Sequence, residues 1–177
     1  MKVNPLSRKI LEYTQSLFIA FILSMIIKVT VVEAFVVPTG SMEPTIAVGD
    51  RFFSNKLVYY FRSPKEGEIV IFTPPDQATS NGSIPFVKRV IGVPGDWVEV
   101  KDGKVFVNHR EIDEKYVKEN PKYQLAATQV PRDALFVLGD NRNNSYDSHV
   151  WGFVPLQNIK AKALFRFWPL TRLGFVS

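Results

Sequence analysis

Apolar positions along this chain follow two regimes. From Leu17 to Ile27 the run LFIAFILSMII is broken only by Ser24, and apolar character resumes on both sides of Lys28. About 20 mostly apolar residues suit a membrane-crossing helix, and a lysine near its end reaches the polar interface. Lys2, Arg8 and Lys9 precede the run. The pattern therefore predicts a cytoplasmic segment over 1–14, a transmembrane anchor over 15–34 and a body beyond the membrane. The competing reading is a cleavable signal peptide ending near Ala34. Cleavage there would leave the turn from Pro38 to Ile46 on a frayed new terminus.

Beyond residue 38 the apolar period changes to two, with turn residues between short runs. EIVIFTPP, PFVKRVIGVPGD, WVEVKDGKVFVN, DALFVLGDN and KALFRFW all read as strands. WVEV and KVFV, joined by KDG, read as a hairpin. A weak helical pattern covers Ile112 to Lys118, and residues 76–85 form a polar loop. The expected fold is mainly antiparallel β, with a body over 35–96 and 135–177 and a smaller inserted β-rich unit over 97–134.

Composition narrows the function classes. A hydrophobic fraction of 46% with 14 phenylalanines excludes a disordered chain. The absence of cysteine excludes disulfides, thiolate metal sites and thiol nucleophiles. The net charge of +5 is spread along the chain without a basic run interleaved with aromatics, so no nucleic-acid partner is expected.

The chemistry begins at PTGSMEPTI, where a lone hydroxyl, Ser41, stands in a turn flanked by Gly40 and two prolines. A serine nucleophile needs a base. His149 with Asp147 offers one on the pattern of a Ser-His-Asp triad. The strand PFVKRVIG offers another, with Phe86, Lys88 and Val90 on one face and Val87, Arg89 and Ile91 on the other. Arginine stays protonated in proteins, so of the two cations only Lys88 can become a neutral amine. Desolvation would bring a lysine from near 10.4 towards a useful value of about 7 to 8. The plain alternative is that one of these cations lies on a solvated strand face.

A third patch, LGDNRNNSYDSHVWGFVP, is polar and rich in turn formers. Asp140, Asn141, Asn143 and Asp147 invite a calcium-loop reading, but their spacing departs from the EF-hand pattern, and no metal is expected. Asn143-Asn144-Ser145 has the form of a glycosylation sequon, too short to carry weight.

Taken in order, the anchor, PTGSMEPT, Gly49–Asp50, VKRVIGVPGD and GDNRNNSYDS resemble the type I signal peptidases, membrane-bound serine proteases with a Ser-Lys dyad. The resemblance spans nearly the whole chain. It implies Ser41 as nucleophile and Lys88 as base, with the Ser41 N–H and the Thr39 hydroxyl forming an oxyanion hole. Ser145 matches the hydroxyl that orients the lysine. Arg89, Asp140, Asp147 and His149 match supporting positions, and Phe35, Val37 and Val87 match the lining of shallow substrate pockets. His149 departs from the arginine of the most familiar members, and DSHVWG looks like the thylakoid-processing branch. The implied substrates are precursors bearing signal peptides, cut after small-x-small sites at a plasma or thylakoid membrane. No cofactor is implied, and membrane lipid is an expected partner. Phe52, Phe53, Tyr59 to Phe61 and FRFWPLTRLGF would dip into the interface, with Arg166 and Arg172 at the headgroups; alternatively Phe165, Phe167 and Trp168 fill the β-core. The rivals are a tethered β-module that binds exported proteins without cutting them, and a self-cleaving Ser-Lys repressor-type peptidase.

Overall fold

The computed structural model describes residues 5–75 and 84–176. Helix α1 (Pro5–Thr30) leads through Val31 into β1 (Val32–Val36), followed by β2 (Arg51–Asn55), the one-turn α2 (Val58–Phe61), β3 (Ile69–Phe72) and β4 (Phe86–Gly92). Next come β5 (Trp97–Lys101), β6 (Lys104–Val107), β7 (Arg110–Glu111), β8 (Leu125–Gln129) and β9 (Ala134–Leu138). The chain closes with α3 (Ser148–Trp151), β10 (Val154–Pro155), β11 (Ile159–Trp168) and β12 (Gly174–Phe175). Residues 76–83 of the expected polar loop lie outside the described residues.

Among the described residues no helix is long and apolar enough to cross a membrane. The helix runs from Pro5 to Thr30, so the last residues of the stretch expected as an anchor over 15–34 lie outside it. Val32 to Ala34 belong instead to a strand that pairs antiparallel with β2, opposite Asn55, Ser54 and Phe53. Pairing wins there because alternation places Phe35 against the Phe52 ring, with centroids 6.0 Å apart.

The large sheet runs in the order β1-β2-β11-β3-β4-β9-β10, with β12 beside β11, and its ladders are antiparallel. One core cluster lies beneath the serine turn and includes Val37, Met42, Ile46, Phe52, Ile69, Ile71 and Ala163. Each large side chain buried there contributes roughly 1.5–3 kcal/mol. β4 carries core on both faces, since Val90 packs with Val70 and Phe72 while Ile91 packs with Phe136 and Leu138. Both cations of β4 are therefore buried, Lys88 at 4% exposure and Arg89 at 2%, and neither lies on a solvated face.

A second sheet, β7-β6-β5-β8, lies between residues 97 and 129. Its hairpin turns at Asp102 and Gly103, both with positive φ, between paired Lys101 and Lys104. This is the primed turn that an Asp-Gly pair favours. Its valines share one core with Ile91, Phe136 and Leu138 of the large sheet, so the two sheets have no separate interiors. The helix expected over Ile112 to Lys118 is absent, and that stretch is irregular. Glu114 is drawn to Arg142 and Tyr116 to Arg89, and these tertiary contacts override the weak helical pattern.

Candidate active site

Ser41 lies in a single 3-10 turn, Gly40–Met42, between β1 and β2. The turn is held from two directions. Asn141 donates its backbone N–H to Ser41 O at 3.0 Å and its Nδ2 to Gly40 O at 3.1 Å. Behind the turn, Asp50 accepts from Ala47 N at 2.9 Å and from Arg166 and Arg172. The same arginines donate to Thr45 O at 2.8 Å and Pro44 O at 3.0 Å. Arg166 and Arg172 thus brace the serine loop, a role that the sequence reading had not given them. Gly139 is required by close approach: a Cβ there would fall 2.4 Å from Ser41 O and 2.2 Å from Ser145 Oγ.

Lys88 enters from β4 and donates to Ser41 Oγ at 2.7 Å. Thr39 Oγ1 lies 3.4 Å from the same oxygen. Burial pushes the Lys88 amine down to about 8, against the opposing pull of the Asp147 and Asp140 carboxylates. Among the described residues, Ser41 Oγ has its hydrogen bonds with Lys88 and Thr39. The His149 ring is engaged elsewhere, with Nδ1 donating to Asp147 Oδ1 at 2.7 Å and its face stacked on Tyr123. Of the two bases left open by the sequence, only the lysine reaches the hydroxyl.

The neighbouring cation is held differently. Arg89 forks onto Asp140, with Nε and Nη2 at 2.9 and 2.8 Å from the two carboxylate oxygens. Its Nη1 donates to Gly67 O at 2.8 Å, and the guanidinium sits 3.8 Å from the centre of the Tyr116 ring. Thr45 Oγ1 also donates to Asp140, at 2.5 Å. Asp147 is wholly buried and accepts from Gly139 N at 2.9 Å. These acids are separately engaged, and among the described residues no cluster of acidic or imidazole groups could hold a metal ion.

A cleft of about 490 Å³ opens over the pair, lined by Val37, Thr39, Ser41, Val87, Lys88 and Ser145, with Met42, Ile84, Phe86 and Tyr146 around them. Val37 and Val87 line this cleft. Phe35 does not; it borders a separate groove beside α2. Ser145 Oγ is buried without a hydrogen-bond partner among the described residues. Sequence reasoning missed Asn141 as the residue that grips the serine turn, and Glu114 and Tyr116, which reach the site from the segment between β7 and β8. Nothing in their local sequence marks them, because their partners lie far away along the chain.

A buried hydroxyl bonded to a buried amine, beneath an apolar cleft, is an arrangement that can activate a serine nucleophile. The sequence model described as "Signal peptidase, peptidase S26" matches residues 10–168, and the chain belongs to that family. It is 44% identical to the probable signal peptidase I-2 of Synechocystis sp. over 99% of this chain and 81% of the relative. It is 39% identical to the thylakoidal processing peptidase 1 of Arabidopsis thaliana over 97% of this chain and 52% of that longer protein. A crystal structure of a signal peptidase I from Enterococcus faecalis superimposes with a TM-score of 0.50 at 30% identity, covering 57% of this chain and 97% of that one.

Proposed function

We propose that this chain removes N-terminal signal peptides from exported precursors by a Ser41–Lys88 dyad. The observation that carries the reading is the 2.7 Å contact between Ser41 Oγ and a buried amine pushed down to about 8. Near neutral pH a usable fraction of that amine is uncharged and accepts the serine proton. Ser41 Oγ then attacks the scissile carbonyl carbon while its proton passes to Lys88 Nζ. The carbonyl oxygen becomes an oxyanion, held by the Ser41 N–H and the Thr39 hydroxyl. Collapse breaks the C–N bond, Lys88 returns the proton to the leaving amine, and an acyl-serine remains. Water attacks that ester while Lys88 takes its proton; the acyl–Oγ bond then breaks, Lys88 returns the proton to Ser41 Oγ, and the signal peptide leaves with a new carboxylate terminus.

Ser145, whose buried hydroxyl lines the same cleft and has no hydrogen-bond partner among the described residues, is the group we assign to orient the amine during these transfers. Val37 and Val87 offer an apolar floor to small side chains of an extended peptide. Small-x-small cleavage sites are what the membership of the signal peptidase family adds to this reading. Supporting a membrane setting, α1 exposes Leu17, Phe18, Ile19, Phe21, Ile22 and Leu23, which no part of the described body covers. We place this helix in lipid, with Lys2, Arg8 and Lys9 on the cytoplasmic side, the body on the outer face, and the exposed Tyr60, Phe61 and Trp168 at the interface.

The test uses the detergent-solubilised chain and a secretory precursor, with cleavage sites mapped by mass spectrometry. The native chain cuts after a small-x-small site, and Ser41→Ala loses at least about 10⁴-fold in rate. Equal cutting by both proteins would remove Ser41 from the mechanism.

A further inference from the structure

The two carboxylates that oppose proton loss from Lys88 differ in their countercharge. Asp140 holds the permanent guanidinium of Arg89 in a two-point contact. Asp147 is equally buried, but its one ion-pair partner among the described residues is an imidazole, His149. Its two oxygens are fixed by donors: Oδ2 by Gly139 N at 2.9 Å, and Oδ1 by His149 N at 3.2 Å and His149 Nδ1 at 2.7 Å.

The imidazole is clamped from its other side. The Tyr123 ring lies nearly parallel to it, with centroids 4.0 Å apart and planes at 10°. Tyr123 comes from the segment between β7 and β8, as does Glu114, which forms a two-point pair with Arg142 beside the same ring. Among the described residues, the titratable groups in contact with the His149 ring are Asp147 and Tyr123, with the Glu114–Arg142 pair beside Tyr123. Glu114 and Arg142 pair with each other, and Asp147 is the charged group that His149 bonds directly. Of the two carboxylates, Asp147 exerts the larger pull on the Lys88 proton.

We propose that His149 sets, through Asp147, how firmly Lys88 holds its proton. As a neutral donor it orients the carboxylate and leaves its charge uncompensated. As a cation it cancels that charge, and the amine is released from its proton at lower pH. Histidine is the side chain whose ordinary charge change falls between about pH 5 and 8. His149 is therefore a positioning residue that acts through Asp147, and the inference rests on the reading of Lys88 as the base.

The experiment measures kcat/KM for precursor cleavage from about pH 5 to 10, using the full chain in detergent. The proteins compared are the native chain, His149→Arg, His149→Gln and Ser41→Ala. The acid limb of kcat/KM reports the base of the free enzyme. A fixed cation in His149→Arg moves that limb down by at least about half a pH unit. His149→Gln still donates to Asp147 and keeps the native midpoint, but its activity falls away faster below about pH 6. The ratio of native to His149→Gln activity therefore climbs at least about threefold there. Superimposable profiles would overturn the proposal, as would equal losses at every pH with the limb unmoved. Where His149→Arg fails to fold, that ratio alone decides. Cleavage persisting in Ser41→Ala would sink the dyad reading itself, so the two failures are separable.

Discussion

Lys88 and Arg89 are adjacent in one strand, both buried, and treated in opposite ways by the fold. Arg89 has two carboxylate contacts, a carbonyl and an aromatic face, and so has most of its hydrogen-bonding needs met. Lys88 has one neutral hydroxyl and an aromatic ring 5.4 Å away. A buried cation with full pairing is a rivet, whereas one without it is pushed towards its neutral form. On the proposed mechanism, reactivity resides where pairing was withheld, and rigidity one residue further along.

The contrast breaks most visibly on the riveted side. Asp140→Asn leaves the Arg89 guanidinium buried without its countercharge and lowers unfolding free energy by about 3–5 kcal/mol, read by denaturant titration. Activity falls with stability, because the Asp140–Asn141 segment also grips the serine turn. On the reactive side, Thr39→Val removes a proposed oxyanion donor without touching the core. It lowers kcat about a hundredfold with an unchanged melting temperature. The smallest effect comes from a pair that only resembles the Arg89 contact. Lys104 meets Glu111 at 2.7 Å with both side chains half exposed, so Lys104→Ala changes stability by less than about 1 kcal/mol and leaves cleavage intact.

Much of this was legible in the chain because it depends on local pattern. Alternation marked the strands around Ile69–Phe72, Phe86–Gly92 and Ala134–Leu138, and Asp102–Gly103 marked the hairpin. The choice of Lys88 over Arg89 followed from which cation can lose a proton. What was not legible depends on distance. The strand Val32–Val36 was absorbed into the anchor because its alternation merges with the apolar run before it. The strand Arg51–Asn55 hid because its buried side chains are Phe52 and Ser54, a weak alternation. Arg166 and Arg172 looked like interfacial cations because Asp50, which holds them, is more than a hundred residues away. Glu114 and Tyr116 looked helical for the same reason.

The withheld pairing at Lys88 has a thermodynamic consequence opposite in sign to an ordinary ion pair. Its folded value of about 8 lies below the ordinary 10.5, so the folded state bears a penalty while the amine is charged in both states. That penalty is full below about pH 8 and is relieved as pH rises towards about 10.5. Lys88→Met keeps the apolar stem and removes the amine. The most direct measurement is to melt the native chain and Lys88→Met at pH 7 and pH 10 while assaying precursor cleavage at pH 7 in the same samples. The expected result is a variant that no longer cuts yet is more stable at pH 7 by about 2–3 kcal/mol, an advantage that shrinks at pH 10. Retained cleavage, or a variant less stable than the native chain at pH 7, would contradict a buried, under-paired lysine as the base.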